Sequence, residues 1–272
     1  SGGDILGIQF VATMGKPTPI REVAQIAERN DLYLIGDFCE GHGNKILTTS
    51  GGLKNYPGSS FKVTQYADWF CDASIYSFFA AHIIIAGEGG MICTDNDEIA
   101  TLCRSIKCHG YGPGSRFNFA RIGYNSKMNE LTAAIGLEGL EKFDDTFARR
   151  RETRATLLNR LSQFENRLIL YRDAPGEIIA PHAFPIVLRD PMADIMPLYR
   201  HLEESGVQCK TLFGSLPTQH EAFEFMGHKL GDFPVAERIG RTGLHFSCSE
   251  YLTNDDIDYI AEHVERGLKE SC

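Results

Sequence analysis

"YSFFAAHIIIAGEGG", residues 76–90, carries a strand-like run to Phe79, then a histidine at position 82, then a glycine-rich loop from Ala86. Its neighbours give it a place in a fold. Upstream, "LYLIGD" (32–37) is a short apolar strand that ends on an acid, Asp37, and "ASIYSFF" (73–79) is a second strand. Downstream, "GGMICTD" (89–95) is another. "DILGIQFVA" (4–12) adds a strand in front. In "PIREVAQIAERN" (19–30), Val23, Ile26 and Ala27 are spaced for one face of a helix. "DNDEIATLCRSIKCHG" (95–110) opens on Asp and Asn caps and is expected to stop at Gly110. Strands alternating with helices predict an α/β sheet covered on both faces.

Beyond residue 128 the texture changes. Residues 129–164 read as an almost continuous helix, with Leu137, Leu140, Phe143 and Phe147 recurring at three and four. A helix of this length often links two domains. Then come the strand "FPIVLRD" (184–190), a helix over about 192–205 closed by Gly206, and the strands "VQCKTLF" (207–213) and "GLHFSCS" (243–249). A final helix starts at Thr253, with Asp256 three residues on as a variant capping box. Its apolar stripe is Ile257, Ile260, Ala261, Val264 and Leu268. The reading is a large α/β domain over 1–142 and a smaller α+β domain over 143–272.

Composition narrows the function. The chain has 272 residues, 43% of them hydrophobic, which is enough to bury a real core. A formal charge of -9 leaves no basic stripe to neutralise phosphates, so nucleic acid is not the expected partner. The basic run at 149–151 reads as a solvated helix face. No stretch approaches the ~20 apolar residues of a membrane span, and no signal peptide is visible. The eight cysteines form no CxxC, and Cys103, Cys108 and His109 are too loosely spaced for a metal site. Reduced thiols and a cytoplasmic location are the expectation. The opening "SGGDILGIQF" lacks Met and enters an apolar run at once, so it reads as a fragment or a processed chain.

Ligands in open α/β sheets bind beyond the carboxyl ends of the strands. Asp37, the segment from Ser77 to His82, and the glycines of "AGEGG" fall at such ends. An acid after a strand is often only a cap. It is also what a pyridoxal phosphate enzyme needs to keep its pyridinium ring protonated as an electron sink. "GEGG" is not GxGxxG and no helix follows it, so a dinucleotide site fits poorly. A lone histidine near a strand end is more often structural than catalytic.

Three motifs in order carry a resemblance: "GDFCEGHG" (36–43), "DASIYSFFAAHIIIAGEGGMICTD" (72–95) and "GYNSKMNELTAAIGLEGLEKF" (123–143). Together they resemble the DegT/DnrJ/StrS family of pyridoxal-phosphate nucleotide-sugar aminotransferases, where "EDxAQxxG" precedes "FSFxPxKxxxxGxGG" and a "GxNxRMxxxxAAIGxxQL" helix follows. The likeness runs the length of the chain and is strongest over 33–143. It implies the aspartate aminotransferase-like fold, type I, with pyridoxal or pyridoxamine phosphate as cofactor. By position, Asp37 matches the aspartate on the pyridinium nitrogen, and Glu40 stands near the ring where glutamine is usual. Ser77 matches a serine on the cofactor phosphate. Asn125 matches an asparagine that reaches the neighbouring subunit's phosphate, which implies a homodimer.

The family lysine belongs at position 82, and this chain has His82. Imidazole cannot form the Schiff base that a lysine amine forms with an aldehyde, but it can move a proton near neutral pH. The chain is similar in this to the GDP-4-keto-6-deoxymannose 3-dehydratase branch. There the pyridoxamine form takes a nucleotide-linked 4-keto sugar, histidine acts as the base, the C3 hydroxyl leaves, and glutamate restores the amine. The related iron–sulfur enzymes need a cysteine cluster that Cys103 and Cys108 do not supply. Family members also carry a further N-terminal stretch, so the large domain is expected to be incomplete. The segment 47–70 is longer than the usual family loop. Other chemistry at His82, an inactive sugar-nucleotide-binding homologue, and a plain structural role for His82 stay open from sequence.

Overall fold

The computed structural model describes residues 5–17, 19–49, 62–114, 117–213 and 216–270. In chain order the first elements are β1 (Gly7–Val11), α1 (Ile20–Arg29), β2 (Tyr33–Asp37), β3 (Lys45–Thr49), β4 (Lys62–Tyr66), β5 (Ala73–Ser77), β6 (Gly90–Cys93), α2 (Asp97–Ile106) and α3 (Glu130–Glu141). They continue with α4 (Phe143–Leu161), β7 (Leu168–Leu170), β8 (Glu177–Ile178), β9 (Phe184–Leu188), α5 (Met196–Glu204), β10 (Cys209–Thr211), α6 (Pro234–Thr242), β11 (Gly243–Phe246) and α7 (Asn254–Glu270). Two compact units result. One runs to Phe147 and takes back Asp173–His182. The other comprises Ala148–Arg172 and everything from Ala183. No helix among the described residues is long and apolar enough to cross a membrane.

The first unit is built on the sheet β1-β2-β5-β6. β1, β2 and β5 are parallel, with Val11 opposite Asp37 and Asp37 opposite Ile75. The carboxyl ends of these three strands therefore share one edge. β6 returns antiparallel after the loop 78–89, pairing Gly90 with Ser77. α1 covers one face by burying Ile20 and Ala27 against Leu34. Gly36 in β2 is a packing requirement, because a Cβ there would lie 2.3 Å from the Phe38 ring and 3.0 Å from that of Phe10. Phe38 is fully buried, edge-on to Phe10 and stacked on Tyr76, and so fixes where β2 ends.

A second sheet, β4-β3-β8, occupies part of the stretch expected to be a long loop. β3 and β4 form a hairpin over 45–66, and Lys45 and Ile46 pair with β8. The tip of that stretch, 50–61, lies outside the described residues. β8 belongs to a strap, 173–182, that is welded to the loop after β1: the Ala180 N–H donates to the Gly15 carbonyl at 2.9 Å. α2 ends at Ile106 rather than Gly110, since His109 and Gly110 both take positive φ and turn the chain.

The apolar stripe expected on residues 137–147 is not a buried one. α3 buries none of its side chains, and Leu137 and Leu140 are exposed. Its close contacts are made by glycines: a Cβ on Gly139 would lie 3.2 Å from the Ile85 carbonyl, and one on Gly136 would lie 3.3 Å from the Ala86 methyl. The small-residue face lies against the 84–86 loop, and the large apolar residues occupy the other faces.

The second unit is the antiparallel sheet β10-β11-β9-β7 covered by helices. Its core joins Leu157 and Leu161 of α4, Phe184 and Ile186 of β9, Leu198 and Leu202 of α5, and Val264 and Leu268 of α7. The whole predicted stripe of α7 is buried. Thr253 and Asp256 cap it reciprocally, the Thr253 N–H donating at 2.9 Å and the Asp256 N–H at 3.2 Å. The basic run does not behave as one solvated face. Arg149 is exposed, but Arg150 is buried and pairs with Glu250 at 2.7 Å. α6 went unread in the sequence because Gly240 interrupts its pattern.

Candidate active site at the carboxyl edge

The shared edge of β1, β2 and β5 collects four of the five expected site residues and two more. Asp37 closes β2, and its Oδ1 accepts from the Cys39 N–H at 3.0 Å. The carboxylate also interacts with the Cys39 side chain. Cys39 itself is no nucleophile: burial first, then the hydrogen bond and charge of Asp37, push its thiol up to about 12.

Glu40 lies in the turn after β2. Its Oε2 accepts from the Met14 N–H at 2.6 Å, and its Oε1 lies 3.6 Å from Nε2 of His182. Burial raises its pKa, the Met14 N–H opposes this, and Asp37 adds to the rise. Ser77 ends β5 and accepts on Oγ from the Phe79 N–H at 3.2 Å, so its own proton is open to a ligand.

His82 sits on the turn beyond Ser77, with its N–H bonded to the Phe79 carbonyl at 3.0 Å. Its ring lies 5.2 Å from that of His182 and 6.0 Å from that of His42, centroid to centroid. Nδ1 is buried without a hydrogen-bond partner among the described residues. Burial lowers the pKa of His82, and the Asp37 charge pulls it part of the way back. Burial thus favours the neutral ring, the form able to take a proton.

Two of these histidines were missed in the sequence. His42 stood inside the quoted "GDFCEGHG", where its nearness to Glu40 was the signal. His182 had none, because the strap that carries it is 100 positions from His82 in the chain. Asn125 is exposed and pairs in an isolated bridge with Cys108. No contact joins it to the cluster among the described residues.

His42 gives a stability prediction. Burial, then the His82 charge, lower its pKa to about 4, with the Ser77 carbonyl opposing. The unfolded chain therefore binds more protons between the ordinary histidine value of 6.5 and about 4. Its contribution is intact above that window and is lost as pH falls through it, at roughly 3 kcal/mol for a shift of this size. Urea midpoints at pH 7 and pH 4.5 should differ less in His42→Asn than in the parent. An unchanged difference would remove His42 as the cause.

A family model for the DegT/DnrJ/EryC1/StrS aminotransferases matches residues 6–265. This chain belongs to the DegT/DnrJ/EryC1/StrS aminotransferase family. The GDP-perosamine synthase of Escherichia coli O157:H7 is 26% identical over 94% of this chain and 64% of its own length. The GDP-4-keto-6-deoxy-D-mannose 3-dehydratase of Yersinia pseudotuberculosis is 24% identical over 95% of this chain and 64% of its own. The chain thus spans less than two thirds of either relative. The solved structure of the E. coli GDP-4-keto-6-deoxy-D-mannose-3-dehydratase with bound hydrated PLP superposes with a TM-score of 0.74, at 22% identity, over 97% of this chain and 68% of that one. The α/β fold is that of the pyridoxal-phosphate aminotransferases, and DegT/DnrJ/EryC1/StrS proteins use that cofactor.

The residues present fit pyridoxal phosphate. The Asp37 carboxylate, an open hydroxyl proton on Ser77 and the His82 ring, with its buried and unpartnered Nδ1, stand at one sheet edge among the described residues. The amines of three lysines are engaged elsewhere: Lys16 with Glu177 at 2.8 Å, Lys45 over the Tyr66 ring at 4.4 Å, and Lys127 beside His109 at 3.3 Å.

Proposed function

We propose that this chain is the catalytic part of a pyridoxamine-dependent 3-dehydratase acting on a nucleotide-linked 4-keto-6-deoxy sugar. The observation that carries the reading is a histidine, His82, at the position where the family's aminotransferases place their lysine. Bound pyridoxal or pyridoxamine phosphate supplies an electron sink and an exchangeable amine. The Asp37 carboxylate would hold the protonated ring nitrogen, and the Ser77 hydroxyl would donate to the phosphate. Glu40, held by the Met14 N–H, lines the ring side. His82 would take and return a proton on its imidazole. Deoxygenation at C3 is a reduction, so an electron donor is required. Glutamate fills that role, leaving as 2-oxoglutarate with release of ammonia.

The second reading is amination of the same kind of sugar, favoured by the perosamine synthase relative. It lacks the amine at position 82 that would shuttle the cofactor. Incubating the full chain with cofactor, glutamate and a GDP-linked 4-keto-6-deoxy sugar distinguishes the two. The expected product has lost the C3 hydroxyl and gained no nitrogen. An amino sugar as the only product would overturn the dehydratase reading.

Two further predictions follow the site. Asp37→Asn removes a charge-assisted hydrogen bond of about 1.5–3 kcal/mol to the ring nitrogen. Cofactor affinity and rate should both drop, and if neither moves Asp37 is a structural cap. Asn125 is proposed as a phosphate ligand given across a two-fold, for which a homodimer is the least assembly. Sedimentation of the full chain at micromolar concentration should show a dimer. A strict monomer would remove Asn125 from the site.

A further inference from the structure

His42 is only 2% exposed, between Gly41 and Gly43 in the turn after β2. A histidine so deeply buried ordinarily has a partner for each ring nitrogen. Here Nδ1 accepts from the Ile84 N–H, in a long bond of 3.4 Å. Nδ1 is then the unprotonated nitrogen, and Nε2 carries the hydrogen. The Ser77 carbonyl faces the ring and acts on it as an acceptor, but Nε2 makes no hydrogen bond of ordinary geometry among the described residues. The ring packs among those of Tyr76 at 5.5 Å, Phe78 at 6.3 Å and His82 at 6.0 Å.

One buried ring thus touches both ends of the segment that carries residue 82. Ser77 is the last residue of β5, and Ile84 lies just past the turn. The base of the loop has its own ties, the Phe78 N–H to Gly89 at 2.9 Å and the Ala86 N–H to Phe78 at 2.8 Å. The turn itself has the His82 N–H to Phe79 bond at 3.0 Å. Between Ser77 and Ile84, beside the buried Ile83, His42 supplies a side-chain hydrogen bond to the turn.

We propose that His42 is the positioning residue for His82, clamping the 77–84 turn so that the imidazole of residue 82 is held at the sheet edge. The proposal rests on the reading of His82 as the proton acceptor. His42 acts through backbone groups, and the nitrogen that matters is the acceptor Nδ1. A displacement on the order of 1 Å in a reacting group costs up to about a hundredfold in rate, so a clamp of this kind is visible in kinetics.

Three variants of the full chain separate the two nitrogens. Asparagine puts an amide oxygen where Nδ1 stands and can accept from Ile84. Glutamine reaches the Nε2 position and leaves Ile84 unpaired. Alanine does neither. The first readout, without cofactor, is the ring resonance of His82 in ¹⁵N-histidine spectra. The second, in a His82→Lys background, is the rate at which pyridoxal phosphate becomes fixed to residue 82 by borohydride. His42→Asn should hold the His82 resonance and keep the capture rate near its parent. His42→Gln and His42→Ala should shift or broaden the resonance and slow capture by about 10- to 100-fold.

A His82 resonance indifferent to His42→Ala would overturn the proposal, as would glutamine restoring what asparagine does not. If His42→Ala fails to fold, the contrast between asparagine and glutamine carries the test. If His82→Lys is never captured while the His82 resonance still follows His42, the reading of residue 82 falls and the clamp stands.

Discussion

Borohydride should leave no cofactor on residue 82 of the full wild-type chain and should attach it there in His82→Lys. Imidazole has no amine to condense with an aldehyde, whereas the substituted lysine would offer one at the same sheet edge. The same exchange should abolish dehydration, because a lysine that condenses with the cofactor is no longer a free base. His82→Ala should cut the rate by about 10²–10⁴-fold, the range of a positioned general base. The acid limb of the pH–rate profile should lie below the ordinary histidine range, since burial lowers the pKa of His82 against the pull of Asp37. Peptide mapping after reduction reads the first claim, and product analysis reads the second. Cofactor fixed to Lys45 or Lys127 in the wild type would sink the lysine-free mechanism. Full activity in His82→Ala would sink the base.

The places of Asp37, Ser77 and His82 in the fold were legible in the sequence for a physical reason. Each lies at or just past the carboxyl end of a short strand, and strand ends are marked locally by a switch from apolar to polar residues. α7 was legible down to its cap, because its apolar residues recur with the helical period and nothing else competes for them. What could not be read depended on contacts between distant segments. Glu40 is oriented by a backbone N–H 26 positions earlier, and its other oxygen faces a histidine from the 173–182 strap. Arg150 looked like part of a charged face until Glu250, 100 positions away, was brought to it. α3 was misjudged because its glycines, not its leucines, make its close contacts. Hydrophobic period reports a buried stripe only where the partner surface is apolar and in reach.

Gly15 is the position where a single methyl group should do the most damage to the site. Its φ is +76°, a conformation that costs an L-residue about 1–2 kcal/mol. A Cβ there would also lie 2.1 Å from the Ala180 carbonyl oxygen and 2.9 Å from its methyl. That neighbour is backbone and cannot rotate away, so the strap must move, at about 1–3 kcal/mol for overpacking. The strap bonds to Gly15 through Ala180 and carries His182 two residues later. Met14, next to Gly15, donates to Glu40. Gly15→Ala should therefore lower the urea midpoint with little change in slope, which marks lost stability rather than altered compactness. It should also weaken the hold on Glu40 from both sides, so cofactor affinity should fall with it. A Gly15→Ala chain with the parent's midpoint and the parent's cofactor affinity would show that the strap is not fastened at this point.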